Sequence, residues 1–136
     1  MSRRVSADEA KKLMDTEGYV YVDVRSIPEF DAGHPTGAYN VPLMHMGTQG
    51  MAPNPQFMAA METAFGKDQK LIVACQAGGR SARAAAMLEA AGFTNVVDQR
   101  AGFGGGMEPG WLTKGFPVSQ AAAPDRTWDA VLAKIK

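Results

Sequence analysis

Leu71-Ile72-Val73-Ala74 is a short, unbroken apolar run with no charge in it. Such a run reads as a strand covered on both faces, and strands of that kind belong to parallel sheets with helices above and below. The next twenty residues narrow the choice further. Cys75 closes the run, a short loop with Gly78 and Gly79 comes next, and Arg80 to Ala91 is Ala-rich, with Met87 and Leu88, and strongly helix-forming. Gly92 supplies the stop.

The rest of the chain repeats the alternation. Ser6-Ala7-Asp8-Glu9 has the capping-box pattern, with Ala10, Leu13 and Met14 on one helical face and Gly18 at the end. Tyr19 to Val24 is β-branched and aromatic and reads as a strand ending in Asp23 and Arg25. Pro28 suits the start of a short helix running to about Gly33. A short extended stretch is expected at Ala38 to Val41. Met44 to Asn54 carries Gly47, Gly50 and Pro53 without a period and reads as a loop.

Phe57, Met61 and Phe65 define one helical face within 55–65. Asn95 to Val97 reads as a further strand. Gly102 to Gly110 reads as a Gly-rich turn anchored by burial of Trp111 and Leu112. Ala121 to Pro124 resembles a linker, and Trp128, Val131, Leu132 and Ile135 share one face of a final helix. Strands alternating with helices predict an α/β layer fold with a mostly parallel sheet. Ligands in such sheets bind beyond the carboxyl ends of the strands, where Asp23, Arg25 and Cys75 all fall.

At 136 residues the chain suits one core rather than two. Fourteen basic residues balance fourteen acidic ones, which argues against a nucleic-acid or anionic-membrane partner held by bulk charge. No apolar run is long enough to cross a bilayer. Met1 to Val5 leads into polar Ser6, Asp8 and Glu9 without the apolar stretch of a secretory signal, and a cytoplasmic setting is expected. One cysteine forms neither an internal disulfide nor a Cys-based zinc site. His34 and His45 have no metal-ligand spacing, and no metal is expected.

A free cysteine is more often a small buried hydrophobe than a nucleophile. Its setting argues otherwise here. Glycines let successive N–H groups of a loop converge on one point, and a helix start adds its unpaired N–H groups and positive dipole end. A thiolate placed there is stabilised and nucleophilic. Gln76, Ala77, Gly78, Gly79, Arg80 and Ser81 form the expected anion cradle. Their N–H groups face the ligand, the Arg80 guanidinium suits an oxyanion, and Ser81 is a candidate hydroxyl donor.

Cys75-Gln76-Ala77-Gly78-Gly79-Arg80 resembles the active-site loop of single-domain rhodaneses, the thiosulfate-type sulfurtransferases. Asp23-Val24-Arg25 with Glu29-Phe30, Gly33-His34, Gly37-Ala38 and Asn40-Val41-Pro42 is similar to the upstream signature of that family. Gly104-Gly105-Gly106, Trp111 and Gly115-Phe116-Pro117 resemble its closing signature. The likeness is nearest to the senescence-associated plant and bacterial type, through the Met-Gly-containing insertion before the second helix. Pro35-Thr36 and the Gly- and Pro-rich stretch before Trp111 depart from the usual pattern.

The resemblance implies a rhodanese-like fold of about five strands, flanked by helices on both faces, over 1–119. Residues 120–136 would form a C-terminal extension with a short amphipathic helix. It implies a persulfide on Cys75, loaded from a small anionic donor such as thiosulfate and discharged to cyanide, a thiol or a thioredoxin-like acceptor, with no cofactor. Asp23 and Arg25 would brace the site. Two other readings compete with this one. A Cys-loop-Arg phosphatase or arsenate reductase would carry five residues between Cys and Arg, where this chain has the four from Gln76 to Gly79. The other is a non-catalytic rhodanese-like delivery or docking module; the intact Cys75 and Arg80 speak against a dead site and leave a delivery role open.

Overall fold

The computed structural model describes residues 3–135. Met1, Ser2 and Lys136, which fall within the two units expected from sequence, lie outside the described residues. Five parallel strands form the central sheet: β1 (Arg3–Val5), β2 (Val20–Asp23), β4 (Tyr39–Asn40), β7 (Leu71–Ala74) and β8 (Val96–Gln99). Their order is β1-β8-β7-β2-β4, so the apolar run at 71–74 lies in the middle. Val20 to Asp23 pair in register with Leu71 to Ala74, which sets Asp23 beside Ala74 at the carboxyl edge.

Strand alternation sorts the core into two layers. Val22, Leu71, Val73 and Val96 face one side, under α3 (Phe57–Ala64), α4 (Gly79–Ala90) and α5 (Trp128–Ala133). Tyr21, Ile72, Ala74 and Val97 face the other, under α1 (Ala7–Glu17), Phe30 of α2 (Ile27–Ala32) and Trp111. Cys75 continues the first set, so its side chain turns toward α4. The α/β architecture with helices on both faces agrees with the sequence reading.

α1 has the full capping box: the Glu9 amide donates to Ser6 Oγ, and the Ser6 amide donates to Glu9 Oε1. Gly18 ends α1 at φ 73, a left-handed conformation that glycine adopts without Cβ strain. Two small antiparallel pairs flank the sheet. β3 (His34–Pro35) pairs with β9 (Val118–Ser119), and β5 (Met44–Gly47) with β6 (Gly50–Pro53). The second pair corrects the expectation of a loop at Met44 to Asn54. Gly47 opposes Gly50 across a turn of Thr48 and Gln49, and Gly50 at φ 101 takes the backbone shape that closes it.

Leu112 is also corrected, being 53% exposed whereas Trp111 is 1%. Trp111 is anchored by its Nε1–H donating to the Pro117 carbonyl and by edge contacts with Tyr21 and Phe116. Trp128 and Val131 bury α5 in the same layer as α3 and α4. His45 lies half-buried on β5, tilted against the Trp128 ring rather than on a loop surface.

Candidate active site

β7 delivers Cys75 to the carboxyl edge, and the chain turns back at once into α4. Gly78, at φ 106, is the residue before the helix, and its N–H donates to Cys75 Sγ at 3.1 Å. The first intrahelical bond runs from Ala82 N–H to the Gly78 carbonyl. The N–H groups of Gly79, Arg80 and Ser81 therefore lie in the first turn, where a helix has no partner for them. Cys75 is 2% exposed, and its Sγ sits at that positive end.

The turn after β8 forms the outer wall. Phe103 N–H donates to the Cys75 carbonyl at 2.8 Å, and Gly104 N–H to the Gln76 carbonyl at 3.1 Å. A side chain on Gly102 would run into the Gln76 backbone, and one on Gly104 into the Gln76 amide. The Gly-rich segment thus lets two turns of backbone stack directly.

Asp23 and Arg25 lie beneath this wall, 2% and 3% exposed. Arg25 grips Asp23 through Nε and Nη2, reaches the Gly33 carbonyl with Nη2 at 2.6 Å, and donates from Nη1 to Gln76 Oε1 at 3.1 Å. Its guanidinium stacks 4.3 Å from the Phe103 ring centre. Burial pushes the Asp23 carboxyl up from its ordinary value, against the pull of its Arg25 bonds. His34 stays in its own turn, stacked on Phe30 with Nδ1 against the Phe30 carbonyl.

Two cradle residues are placed differently from their sequence roles. Arg80 does not face the loop with a free fork: Nη1 and Nη2 donate to the two Glu29 oxygens at 2.6 and 2.9 Å. The Glu29 bond raises the Arg80 guanidinium above its ordinary value, while burial works against it. Ser81, expected as a donor to the ligand, directs its hydroxyl elsewhere. Its Oγ lies 2.6 Å from Asp98 Oδ1, and a carboxylate can only accept, so the serine donates there. Cys75 Sγ lies 3.7 Å from the same Oγ as a donor toward it.

Asp98 was missed from sequence. It is fully buried on β8, on the α4 side of the sheet, and its other oxygen accepts from Arg4 Nε at 2.8 Å. Its only sequence signal is position, a charged residue directly after Val96-Val97. Among the described residues, no three His, Cys, Asp or Glu side chains group as metal ligands. No helix among them is long and apolar enough to cross a membrane.

A cysteine ending the central parallel strand, cradled by a four-residue loop at the start of a helix, marks an α/β domain of the rhodanese-like class. Residues 6–107 match the rhodanese-like domain family, and the chain belongs to it. Thiosulfate sulfurtransferase 16, chloroplastic, of Arabidopsis thaliana is 44% identical over 101 residues, covering 74% of this chain and 80% of that protein. Senescence-associated protein DIN1 of Raphanus sativus is 40% identical over 103 residues, covering 76% of this chain and 54% of DIN1. Against that relative the chain spans about half the length. The crystal structure of Rv0390 from M. tuberculosis superposes with a TM-score of 0.74 at 25% identity, covering 88% of this chain and 98% of that one.

Proposed function

We propose that the protein is a sulfurtransferase that carries sulfane sulfur as a persulfide on Cys75. The observation that carries this reading is the seat of Cys75 Sγ, at the first turn of α4 with the Gly78 N–H donating to it at 3.1 Å. Backbone donors and a helix start favour negative charge at that point, as both a thiolate and a terminal persulfide require. Relatives named thiosulfate sulfurtransferase support a thiosulfate-type donor.

In the first half-reaction the Cys75 thiolate attacks the outer sulfur of the donor. A new S–S bond forms at Sγ, the donor S–S bond breaks, and sulfite departs with the bonding pair. In the second, cyanide or a thiolate attacks the outer sulfur of the persulfide, and Cys75 leaves as thiolate. The scheme is ping-pong and uses no group outside the chain, the donor and the acceptor. Within it Arg25, Asp23 and Gln76 hold the loop, and Arg80 with Glu29 sets the charge at its rim.

Intact-protein mass spectrometry checks this directly. Thiosulfate is expected to add the mass of one sulfur atom, which cyanide or dithiothreitol removes and which Cys75→Ser never gains. A protein that stays unmodified while Cys75 remains open to alkylation would sink the proposal.

A further inference from the structure

Besides the Gly78 amide, Cys75 Sγ has a second polar neighbour, the Ser81 hydroxyl, which links it to a buried carboxylate. Cys75 Sγ, Ser81 Oγ and Asp98 Oδ1 follow one another at 3.7 and 2.6 Å, and Arg4 Nε holds the far oxygen of Asp98 at 2.8 Å. A serine has one hydroxyl hydrogen. The Gly78 carbonyl, at 3.2 Å, competes for it less closely than the carboxylate. With that hydrogen drawn to Asp98 in a short charge-assisted bond, Ser81 turns a lone pair to the sulfur.

We propose that Asp98 is a positioning residue for Cys75: by claiming the Ser81 hydrogen, it disfavours a bare thiolate at Sγ relative to the thiol or the persulfide. A thiol donates its hydrogen to the Ser81 lone pair. A thiolate faces that lone pair with its own charge, and gains a second donor only if Ser81 releases Asp98. In the persulfide the charge sits on the outer sulfur, about 2 Å further along the new S–S bond. Sγ is then neither protonated nor charged, and the Ser81–Asp98 bond stays whole.

When an acceptor attacks the outer sulfur, the S–S bond breaks and its electron pair returns to Sγ, the atom on which the Ser81–Asp98 bond makes negative charge less favourable. Asp98 therefore slows discharge and lengthens the life of the cargo. This last step rests on the transferase reading, whereas the effect on the empty site does not.

Other charged and titratable groups lie near Cys75: Arg80 from α4, held by Glu29 from α2, Tyr21 from β2, and, through Gln76, the pair of Asp23 at the end of β2 and Arg25 just beyond it. None of these changes in the variants compared below, so differences between profiles report the Ser81–Asp98 unit.

The test is the rate of Cys75 alkylation by iodoacetamide against pH, on sulfur-free protein, for wild type, Asp98→Asn, Ser81→Ala and the double variant. Asp98→Asn frees the hydroxyl to donate to sulfur and is expected to move the midpoint down by about one pH unit. In the Ser81→Ala background the same change is expected to yield less than about a third of that shift. No shift in Asp98→Asn overturns the proposal, and so does an equal shift in both backgrounds, which would mean the carboxylate acts directly through space.

If Asp98→Asn does not fold, Ser81→Thr and Ser81→Ala decide. Thr is expected to keep the wild-type midpoint and Ala to lower it, and identical profiles overturn the proposal. In a second arm, cyanide should discharge persulfidated Asp98→Asn about three to ten times faster than wild type. Failure to load sulfur removes this arm and the proposed function together, and leaves the alkylation result standing.

Discussion

Glu29 accepts from the Ser26 amide, from Ser26 Oγ and from both terminal nitrogens of Arg80. It thereby closes the capping box of α2 and neutralises the cation at the rim of the cradle. Partial burial works to raise its carboxyl, but the Arg80 and Ser26 bonds outweigh it and hold the group at about 2, below the ordinary value of 4.5. A carboxyl lowered in the folded state contributes stability that is complete above 4.5 and is lost as pH falls toward about 2.

Glu29→Gln is expected to cost about 1–2 kcal/mol near neutrality. Urea melts across pH should show its gap to wild type closing below 4.5. The same change frees the Arg80 fork and removes a negative charge, so the KM for thiosulfate should fall about threefold. Steady-state kinetics over a donor series will show whether it does. The cation that Glu29 holds lies 51 positions away, and the two partners of Asp98, Ser81 and Arg4, lie 17 and 94 away. That separation is why Glu29 was visible only as part of a motif and Asp98 not at all. Pairings made by the fold leave no local pattern, whereas Cys75 and its glycines are neighbours in the chain.

The elements divide on similar lines. β7 and α1 were readable because an apolar run and a capping box are local statements of burial and hydrogen bonding. β8 was read only to Val97, because Asp98 and Gln99 end the apolar pattern although both are fully buried. Gln99 satisfies the Gly102 turn with both ends of its amide, so polar residues extend the strand where hydropathy stops it. The hairpin of β5 and β6 was unreadable because β6 is exposed along its length and no residue of it needs to be apolar.

The stacked turns give a prediction at this scale. Gly102 has φ 75, and an added Cβ meets the rigid Gln76 backbone, whereas at Gly104 it meets the end of a side chain that can swing away. Gly102→Ala should cost at least about 2 kcal/mol and abolish sulfur loading. Gly104→Ala should fold almost normally and loosen the Gln76–Arg25 bond. Denaturation curves and mass spectra of the two variants side by side test the contrast.

Across the whole molecule, the two layers meet the sheet from opposite sides, and the last helix belongs to one of them. Trp128 is 6% and Val131 0% exposed, and α5 packs against α3 and β4. Trp128→Ala should cost about 3–5 kcal/mol, readable as a shift of the urea midpoint at constant slope. A fully detachable tail would show no shift. The amphipathic pattern of this helix was legible in the sequence, but what it covers was not, because contact with α3 and β4 is a property of the folded chain.

The segment leading into α5 also touches the sheet at its end. β4 is the outermost strand on that side, and the Asn40 N–H that points away from β2 donates to the Arg126 carbonyl at 2.9 Å, while Arg126 Nη1 donates to the Gly37 carbonyl. An edge strand ordinarily offers its unpaired backbone as a template on which another chain can grow a ladder. Here that strand is two residues long and its outward donor is already spent on the protein's own backbone. Arg126, between the expected linker at Ala121 to Pro124 and α5, is thus a guard against intermolecular strand addition, and its loss would be felt first as aggregation rather than as unfolding.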